Sequence, residues 1–396
     1  MRIAFLLGSG ASRPTLPDTA DLTDKIQKGD GYAHSDGTYF KGQPLYAYLQ
    51  IPDTHVPYIC SFLRWLNCHV SRYYEHDLGR TANYEDLYYL VEQIHDEEAG
   101  ELDNPFVAEA QRDIRPRLCE CAERVAAATG STSSIRLMAE EILNYIASVV
   151  ATELRTPNDS TEHFMFLKEA LDATVSDQLR VFTLNHDLLL DQFFSTRNIE
   201  VTDGFGPAIN SVKYWNPRLL SDGTSRSVLL KLHGSINWFR FRTDGGDWYD
   251  ERICKVPESQ NNYDTTDPNG RRQRPLDDRP VMLIGTFNKM PQYSRGLFFD
   301  LFAEFRRRLT ESDVLVVCGY GFGDKGINGK INEWAYGARG RRILVVHPEP
   351  DKLLATAPGA IQNKWATWRE KGVLQLYEAL AENIAWNDVA SIIAAC

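Results

Sequence analysis

The sequence predicts an α/β protein in which a doubly wound parallel sheet carries a large inserted helical module. Six short apolar runs have the composition of buried parallel strands, at residues 3–7, 179–183, 228–232, 281–284, 314–318 and 343–346. Five of the six are soon followed by a glycine, asparagine or histidine phrase. Ligands of a doubly wound sheet bind beyond the carboxyl ends of its strands, so these phrases mark the candidate site.

The remaining elements follow in chain order. The sheet domain takes residues 1–53 and 176–350, and residues 54–175, with apolar positions at helical spacing, form the inserted helical module. Within the sheet domain, residues 205–280 are rich in Gly, Asp, Asn, Arg and Pro, which predicts a long loop or small β-insertion, least periodic at 244–278. Residues 351–396 are predicted to be a helical tail, suited to core docking or to a subunit contact.

Composition narrows the class of protein. The chain has 396 residues, 43% of them hydrophobic, which is enough for one large domain or two modest ones. The net charge of −11 disfavours nonspecific binding to nucleic acid or to an anionic membrane, so neither is expected as a partner. No apolar run approaches the roughly 20 residues of a membrane span, and the first residues do not resemble a secretion signal. Seven irregularly spaced cysteines without a C-x-x-C pair favour reduced thiols, a cytoplasmic location and no bound metal.

The first strand leads directly into Gly8, Ser9, Gly10, Ala11 and Ser12. Glycines here allow a tight turn and close approach of the backbone to a pyrophosphate, whose charge the N–H groups can face. The loop lacks the G-K-[ST] of nucleoside triphosphatases and the third glycine of the dehydrogenase fingerprint, which argues against both classes. The alternative is an ordinary turn between a strand and a helix.

The second strand ends in Thr183, Leu184, Asn185, His186 and Asp187. An amide both donates and accepts hydrogen bonds, so Asn185 can hold a water or a carboxamide. The Asp187 carboxylate can hold ribose hydroxyls and favour the positive charge that develops when a glycosidic bond ionises. The alternative is that Asn185 or Asp187 caps the helix that follows.

The third run ends at His233 and Gly234. A histidine can take a proton from a ribose hydroxyl or a water near neutral pH, and the glycine leaves room for a substrate. The alternative is a buried structural histidine, one of nine in the chain, although its place at a strand end favours function.

Two later phrases offer further contacts. Gly319, Tyr320 and Gly321 open a glycine-rich loop that reaches Asp324, a second place where the backbone can approach a nucleotide. His347 ends the last strand, where the edge of an adenine could rest. Both phrases could instead be ordinary loops.

Taken in order, residues 8–12, 183–187, 233–234 and 319–324 resemble the sirtuin family, and more closely the bacterial sirtuin-like NAD hydrolases of antiphage defence. Residues 16–17 and 84–87 also fit that branch. The resemblance covers the sheet-forming half of the chain and implies a Rossmann-like NAD-binding domain.

The resemblance implies a role for each phrase. Residues 8–12 would hold the NAD phosphates and the adjoining ribose. Asn185 would orient the nicotinamide ribose and the attacking water, Asp187 would help to bind the nicotinamide half, and His233 would be the general base. Contacts to the adenosine half would come from Gly319, Tyr320 and Gly321. The NAD-binding set is completed by Thr183, Gly234 and His347.

Two departures from the family bear on the reaction. Sirtuins that deacylate proteins carry a zinc ribbon with paired C-x-x-C motifs, and this chain has none, which favours water as the acceptor. The late phrase usually has Ser or Thr where this chain has Gly321, so a hydroxyl contact to ribose or phosphate is missing.

The resemblance therefore implies hydrolysis of NAD, as substrate, to nicotinamide and ADP-ribose, depleting NAD as an abortive-infection defence. It also implies a large homo-oligomer regulated by a HerA-type hexameric ATPase, with a short Argonaute as the alternative partner. A deacylase or ADP-ribosyltransferase on the same fold is the second interpretation, with residues 244–278 supplying a peptide groove. The third is a non-catalytic scaffold that binds NAD or ADP-ribose, which the pairing of Asn185 with His233 disfavours because a binder needs no base.

Overall fold

The computed structural model describes residues 1–13, 15–29, 55–102, 104–130, 134–155, 160–173, 178–221, 227–257, 260, 265–276, 279–286 and 288–394. The chain forms two compact units. One comprises Met1–Leu16, Leu154–Leu283 and Lys289–Cys396, and the other comprises Pro17–Glu153 and Ile284–Asn288. In the described part, no helix is long and apolar enough to cross a membrane.

The strands, numbered along the chain, are β1 (Ile3–Leu7), β2 (Arg180–Thr183), β3 (Lys213–Tyr214), β4 (Val228–Lys231), β5 (Trp238–Thr243), β6 (Arg252–Lys255), β7 (Thr265–Thr266), β8 (Arg272–Pro275), β9 (Val314–Cys318), β10 (Arg342–Val346) and β11 (Leu374–Tyr377). The helices are α1 (Thr19–Lys28), α2 (Val56–His76), α3 (Tyr84–Glu98), α4 (Pro105–Gln111), α5 (Arg115–Thr129), α6 (Ile135–Glu153), α7 (Met165–Ala173), α8 (Leu189–Thr196), α9 (Arg218–Ser221), α10 (Lys289–Gln292), α11 (Gly296–Thr310), α12 (Lys325–Gly337), α13 (Pro350–Thr356), α14 (Gly359–Glu370) and α15 (Trp386–Ala394).

The larger unit is built on a six-stranded sheet of order β11-β10-β9-β1-β2-β4, in which every pairing is parallel. The chain builds outward from β1 through β2 to β4 on one side, and through β9 and β10 to β11 on the other. The strand order therefore reverses between β1 and β9, where ligands of such sheets bind. The predicted α/β fold with a doubly wound parallel sheet is confirmed, and the helices α1 to α6 are inserted between β1 and β2.

Two predictions about strands were wrong. Residues 281–284 form no strand, because the backbone of Val281 bonds to Ser235 in the loop after β4 and to Trp238 at the start of β5, and only Met282 makes a β-bridge. Residues 351–396 are not all helical, since β11 pairs with β10 at the sheet edge. Because only one of its four residues is fully buried, this strand lacks the continuous apolar run by which buried parallel strands are recognised.

A second sheet lies within the segment predicted as a loop or β-insertion. It is antiparallel, with strand order β3-β6-β5-β8-β7. In its central strand, β5, burial alternates from Phe239 onwards: Phe239, Phe241 and Thr243 are buried, while Arg240 is exposed and Arg242 is half-buried. Alternation of this kind gives the sheet one apolar face that packs into the core.

The smaller unit is helical and follows the predicted periodicity. The apolar stripe Ile59, Phe62, Leu63 and Leu66 of α2 is buried, as expected for core packing. Helices α1 and α3 each begin with a capping box, at Asp18 and Asn83, in which side chain and backbone satisfy each other's free N–H groups.

Candidate functional site at the carboxyl edge of the parallel sheet

The loops after β1 and β9 touch each other through glycine backbone. A Cβ on Gly8 would lie 2.6 Å from the carbonyl oxygen of Gly319, and one on Gly10 would lie 2.8 Å from its Cα. Gly319 itself has a φ of 65°, and a Cβ there would lie 2.2 Å from the nitrogen of Ala11. These three glycines are therefore required by the close approach of two loops at the switch point of the sheet.

The same contact occupies most of the N–H groups of the first loop. Gly8 donates to the carbonyl of Cys318 at 3.0 Å and Gly10 to that of Gly319 at 2.9 Å. Ala11 and Ser12 donate to carbonyls within the loop, where Ser9–Ala11 form a 3₁₀ turn. These four N–H groups are therefore engaged in hydrogen bonds within the protein.

Asn185 joins the end of β2 to this loop. Its side-chain amide donates to the carbonyl of Gly8 at 3.0 Å and to the hydroxyl of Ser12 at 2.8 Å. Ser12 in turn donates to Asp187 at 2.8 Å. Both amide protons of Asn185 are thus used, and its carbonyl oxygen has no hydrogen-bond partner among the described residues. Thr183 orients the turn by accepting a hydrogen bond from the Asn185 backbone.

Asp187 is buried and bonded on both oxygens. One oxygen accepts from Ser12 and the other accepts from the backbone N–H of Leu189, the first residue of α8. Burial raises the pKa of this carboxyl, although the charge of Lys231 and these hydrogen bonds act against it. Asp187 thus accepts the N–H of the first residue of α8, while the N-cap position of this helix is Leu188.

His233 lies beyond the end of β4 and is 4% exposed. Its Nε2 is 3.0 Å from Oδ2 of Asp324 and 2.8 Å from the hydroxyl of Tyr293. The Tyr293 hydroxyl also donates to Oδ2 of Asp324 at 2.6 Å. The three side chains form a buried triangle that links the ends of β4 and β9, and Gly234, with a φ of 82°, turns the chain away from it.

The electrostatics of this triangle favour an ionised Asp324. Burial raises the pKa of its carboxyl, but the hydrogen bond and charge of His233, together with the charge of Lys289, outweigh burial and hold that pKa below its usual range. His186, whose ring centroid lies 6.2 Å from that of His233, has its pKa lowered well below 6.5 by burial. The Nδ1 of His186 is buried and has no hydrogen-bond partner in the part of the chain that the structure describes.

The loop after β9 has the free N–H groups that the first loop lacks. The backbone N–H groups of Gly321, Phe322 and Gly323 make no hydrogen bond to any described residue, and nothing lies within 4 Å of a Cβ built on either glycine. Phe322 has a φ of 54° and buries its ring, which leaves the two flanking glycines exposed. Successive free N–H groups next to a left-handed residue are typical of anion-binding loops.

The remaining predicted residues lie at the same edge with local roles. Tyr320 is buried, and its hydroxyl bonds Asp324 and Asn328 within its own loop. The Nδ1 of His347, half-buried after β10, accepts the N–H of Glu349 at 2.9 Å. Tyr320 is thereby held against the start of α12, and His347 against the turn after β10.

A buried ion network holds the second sheet next to this edge. Lys231 of β4 donates to the carbonyl of Asp187 and, at 3.1 Å, to Asp191 of α8. Lys255 of β6 donates to the other oxygen of Asp191 at 2.5 Å and to Asp203 at 2.7 Å. The two positive charges of Lys231 and Lys255 are thus matched by the two negative charges of Asp191 and Asp203.

Sequence reasoning missed Tyr293, Lys289 and the role of Asp324. The position of Asp324 at the start of α12 carried a weak signal, since aspartate is a preferred helix cap. Tyr293 and Lys289 follow a segment with no recognisable phrase. Among the described residues, no group of three or more His, Cys, Asp or Glu side chains could hold a metal ion.

Residues 179–373, a little under half of the chain, match the SIR2-like domain family. No curated protein matches the chain. Among solved structures, a mutant Sir2 homologue in complex with ADP-ribose is 13% identical, with a TM-score of 0.38 and coverage of 99% of this chain and 92% of that one. A Sir2 homologue in complex with NAD is 14% identical, with a TM-score of 0.34 and coverage of 99% and 90%. These likenesses are remote.

Proposed function

We propose that this protein hydrolyses NAD to nicotinamide and ADP-ribose. The observation that carries the proposal lies within the SIR2-like region. There, the amide of Asn185 follows β2, and the imidazole of His233 follows the neighbouring strand β4 at the same edge of the sheet. Asp324, which follows β9, is the carboxylate partner of His233. An amide that orients water and a base near ribose are what cleavage of the nicotinamide–ribose bond requires.

In the proposed reaction, the bond from the ribose anomeric carbon to the pyridinium nitrogen breaks, and its electron pair leaves with neutral nicotinamide. A water oxygen bonds to that carbon and releases one proton, which His233 accepts and passes to solvent. Atoms balance, since NAD⁺ and water give nicotinamide, ADP-ribose and one proton. The carbonyl oxygen of Asn185 is the acceptor that would orient the water or a ribose hydroxyl.

The hydrogen bonds alter two of the roles implied by the family resemblance. Since both oxygens of Asp187 are occupied by Ser12 and Leu189, we assign Asp187 to holding Ser12 and Asn185 in place. The free N–H groups of residues 321–323 are better placed to receive a phosphate than those of residues 8–12. The first loop would then fix the second through the contact with Gly319.

The test is a chromatographic assay of purified protein with NAD, beside His233→Ala and, as a matched control, the exposed His76→Ala. We expect equal amounts of nicotinamide and ADP-ribose from the wild type and from His76→Ala. We expect none from His233→Ala, with its melting temperature within a few degrees of wild type. Normal turnover by His233→Ala would remove His233 from the mechanism, and products formed only with an acylated peptide would favour the deacylase interpretation.

We further propose, from the family resemblance, that the activity serves antiphage defence within a homo-oligomer controlled by a HerA-type ATPase. A bare NAD hydrolase endangers its own cell, so restraint by a partner is expected. Size-exclusion chromatography with light scattering, alone and with the ATPase, tests both points. A monomer at micromolar concentration whose turnover does not respond to the ATPase would contradict the proposal.

A further inference from the structure

The carboxylate of Asp324 is rigidly held before it meets His233. Its Oδ1 accepts the N–H of Ile327 at 3.0 Å, as the cap of α12. The backbone N–H of Asp324 donates to the Tyr320 hydroxyl at 3.1 Å. Only Oδ2 is left for the histidine, and it lies 3.0 Å from Nε2.

The ring of Tyr293 is held in place by packing against its neighbours. Its ring stacks on Phe302, with centroids 4.3 Å apart and an angle of 13° between the ring planes. A Cβ on Gly326 would come within 2.7 Å of the Tyr293 ring, so the backbone of α12 also packs against this ring. The hydroxyl is thereby held 2.6 Å from Oδ2 of Asp324 and 2.8 Å from Nε2 of His233.

We propose that Asp324 and Tyr293 are positioning residues that fix His233 with its proton on Nε2, which makes Nδ1 the atom that accepts the proton in NAD hydrolysis. This inference rests on the proposed function. A carboxylate has no proton to donate, so Asp324 accepts hydrogen bonds from both Nε2–H and the Tyr293 hydroxyl. The neutral imidazole then carries its lone pair on Nδ1.

The proton inventory is simple. During hydrolysis, the proton released by the attacking water bonds to Nδ1, and the imidazole becomes a cation beside the Asp324 carboxylate. Asp324 keeps its charge and Tyr293 keeps its proton throughout. The Nδ1 proton then leaves to solvent, which restores the starting tautomer.

Other charged groups around the triangle fit this arrangement. Lys289 is buried and acts on both Asp324 and His186 through its charge. His186 is the nearest other titratable ring, and burial keeps it neutral. Asp324 is therefore the carboxylate in direct contact with His233, and it stabilises the cation that His233 becomes.

The decisive variants separate this role from helix capping and packing. Asp324→Asn keeps a good helix cap, because asparagine caps as well as aspartate does. Asparagine has only one side-chain oxygen. If that oxygen accepts the N–H of Ile327, the amide nitrogen lies beside Nε2 of His233 and can only donate to it. Tyr293→Phe keeps the stacked ring and removes only the hydroxyl. The exposed pair Tyr377 and Asp388, joined at 2.9 Å, supplies the matched controls Tyr377→Phe and Asp388→Asn.

We expect Asp324→Asn to lower kcat by on the order of 10²–10⁴-fold with little change in KM. Tyr293→Phe should lower kcat by about 2- to 10-fold, as for one lost hydrogen bond. The acidic limb of the pH–rate profile should move to lower pH in Asp324→Asn, because the imidazolium loses its counter-charge. Both controls should match the wild type. Unchanged kcat and pH profiles in both site variants would overturn the inference.

A second readout needs no turnover. ¹⁵N NMR of histidine-labelled protein, with His233 assigned by its loss in His233→Ala, reports which ring nitrogen carries the proton. We expect the Nε2–H tautomer in the wild type and a shift towards Nδ1–H in Asp324→Asn. An Nδ1–H tautomer in the wild type refutes the inference even if NAD is hydrolysed. An Nε2–H tautomer that depends on Asp324, in a protein that never hydrolyses NAD, upholds the arrangement and refutes the proposed function.

Discussion

Asp191→Asn is the substitution that should reveal how strongly the buried ion network holds the two sheets together. The side chain of Asp191 is 16% exposed, and it lies between Lys231, 1% exposed, and Lys255, 15% exposed. In the wild type, two ammonium groups face Asp191 and Asp203, so the charges cancel. The asparagine leaves the buried Lys231 without an ion-pair partner among the described residues, since Asp203 is engaged by Lys255.

The expected cost is about 3–5 kcal/mol in the free energy of unfolding at pH 7, the range for removal of one partner of a buried ion pair. Urea denaturation followed by tryptophan fluorescence measures it. Asp172→Asn, in an exposed pair with Lys168, is the control and should cost under about 1 kcal/mol. Adding Lys231→Met to Asp191→Asn should recover most of the loss, because no buried charge is then left unpaired. The carbonyl of Asp187 would still lack its donor, at about 1 kcal/mol.

The pH dependence gives a second check. Burial by itself raises the pKa of Asp191, but Lys231 and Lys255 outweigh burial and hold that pKa below 3.8. The carboxylate therefore stabilises the folded protein above about pH 3.8, and this stabilisation is lost as the pH falls below that value. The difference in the free energy of unfolding between wild type and Asp191→Asn should stay constant above about pH 5 and narrow as the pH falls from about 4 to about 2. The reasoning would be refuted if Asp191→Asn lowered the free energy of unfolding by less than about 1 kcal/mol at pH 7, or if its difference from the wild type did not change with pH.

Two further predictions concern the site. Gly319→Ala should lower the free energy of unfolding by several kcal/mol and weaken NAD binding measured by calorimetry, because its Cβ would collide with Ala11. The control Gly340→Ala, at a φ of 81° with open space around it, should lower the free energy of unfolding by only about 1 kcal/mol. Equal losses of stability in the two variants would contradict this reasoning, because they would show that the positive φ alone, and not the collision with Ala11, sets the cost. Burial lowers the pKa of His186 far below 6.5, so the stability this residue confers is present above pH 6.5 and lost as the pH falls below it. The wild type should lose stability more steeply than His186→Asn between pH 6.5 and 5, by up to about 1.4 kcal/mol per pH unit, and parallel curves would contradict this.

Much of the fold could be predicted because its signals are local. A buried parallel strand needs a continuous apolar run, and the runs at β1, β2, β4, β9 and β10 were all recognisable. The phrases that contain Gly8, Asn185, His233 and Gly319 follow such runs, so their place at one edge of the sheet could be inferred from the chain order. Strand β11 could not be predicted from the sequence, because an edge strand with half-buried residues has no continuous apolar run.

The sequence by itself therefore determined the doubly wound sheet and the candidate residues at its carboxyl edge, because hydrophobic periodicity and glycine punctuation are properties of short segments. Tertiary structure decided what those residues do. Gly8 and Gly10 meet Gly319 across the switch point, and their N–H groups donate to the carbonyls of Cys318 and Gly319. His233 acquires Tyr293 and Asp324, which are 60 and 91 residues away along the chain. Hydrogen-bond partners so distant in sequence are selected by the packing of the sheet and its helices, which no local pattern encodes.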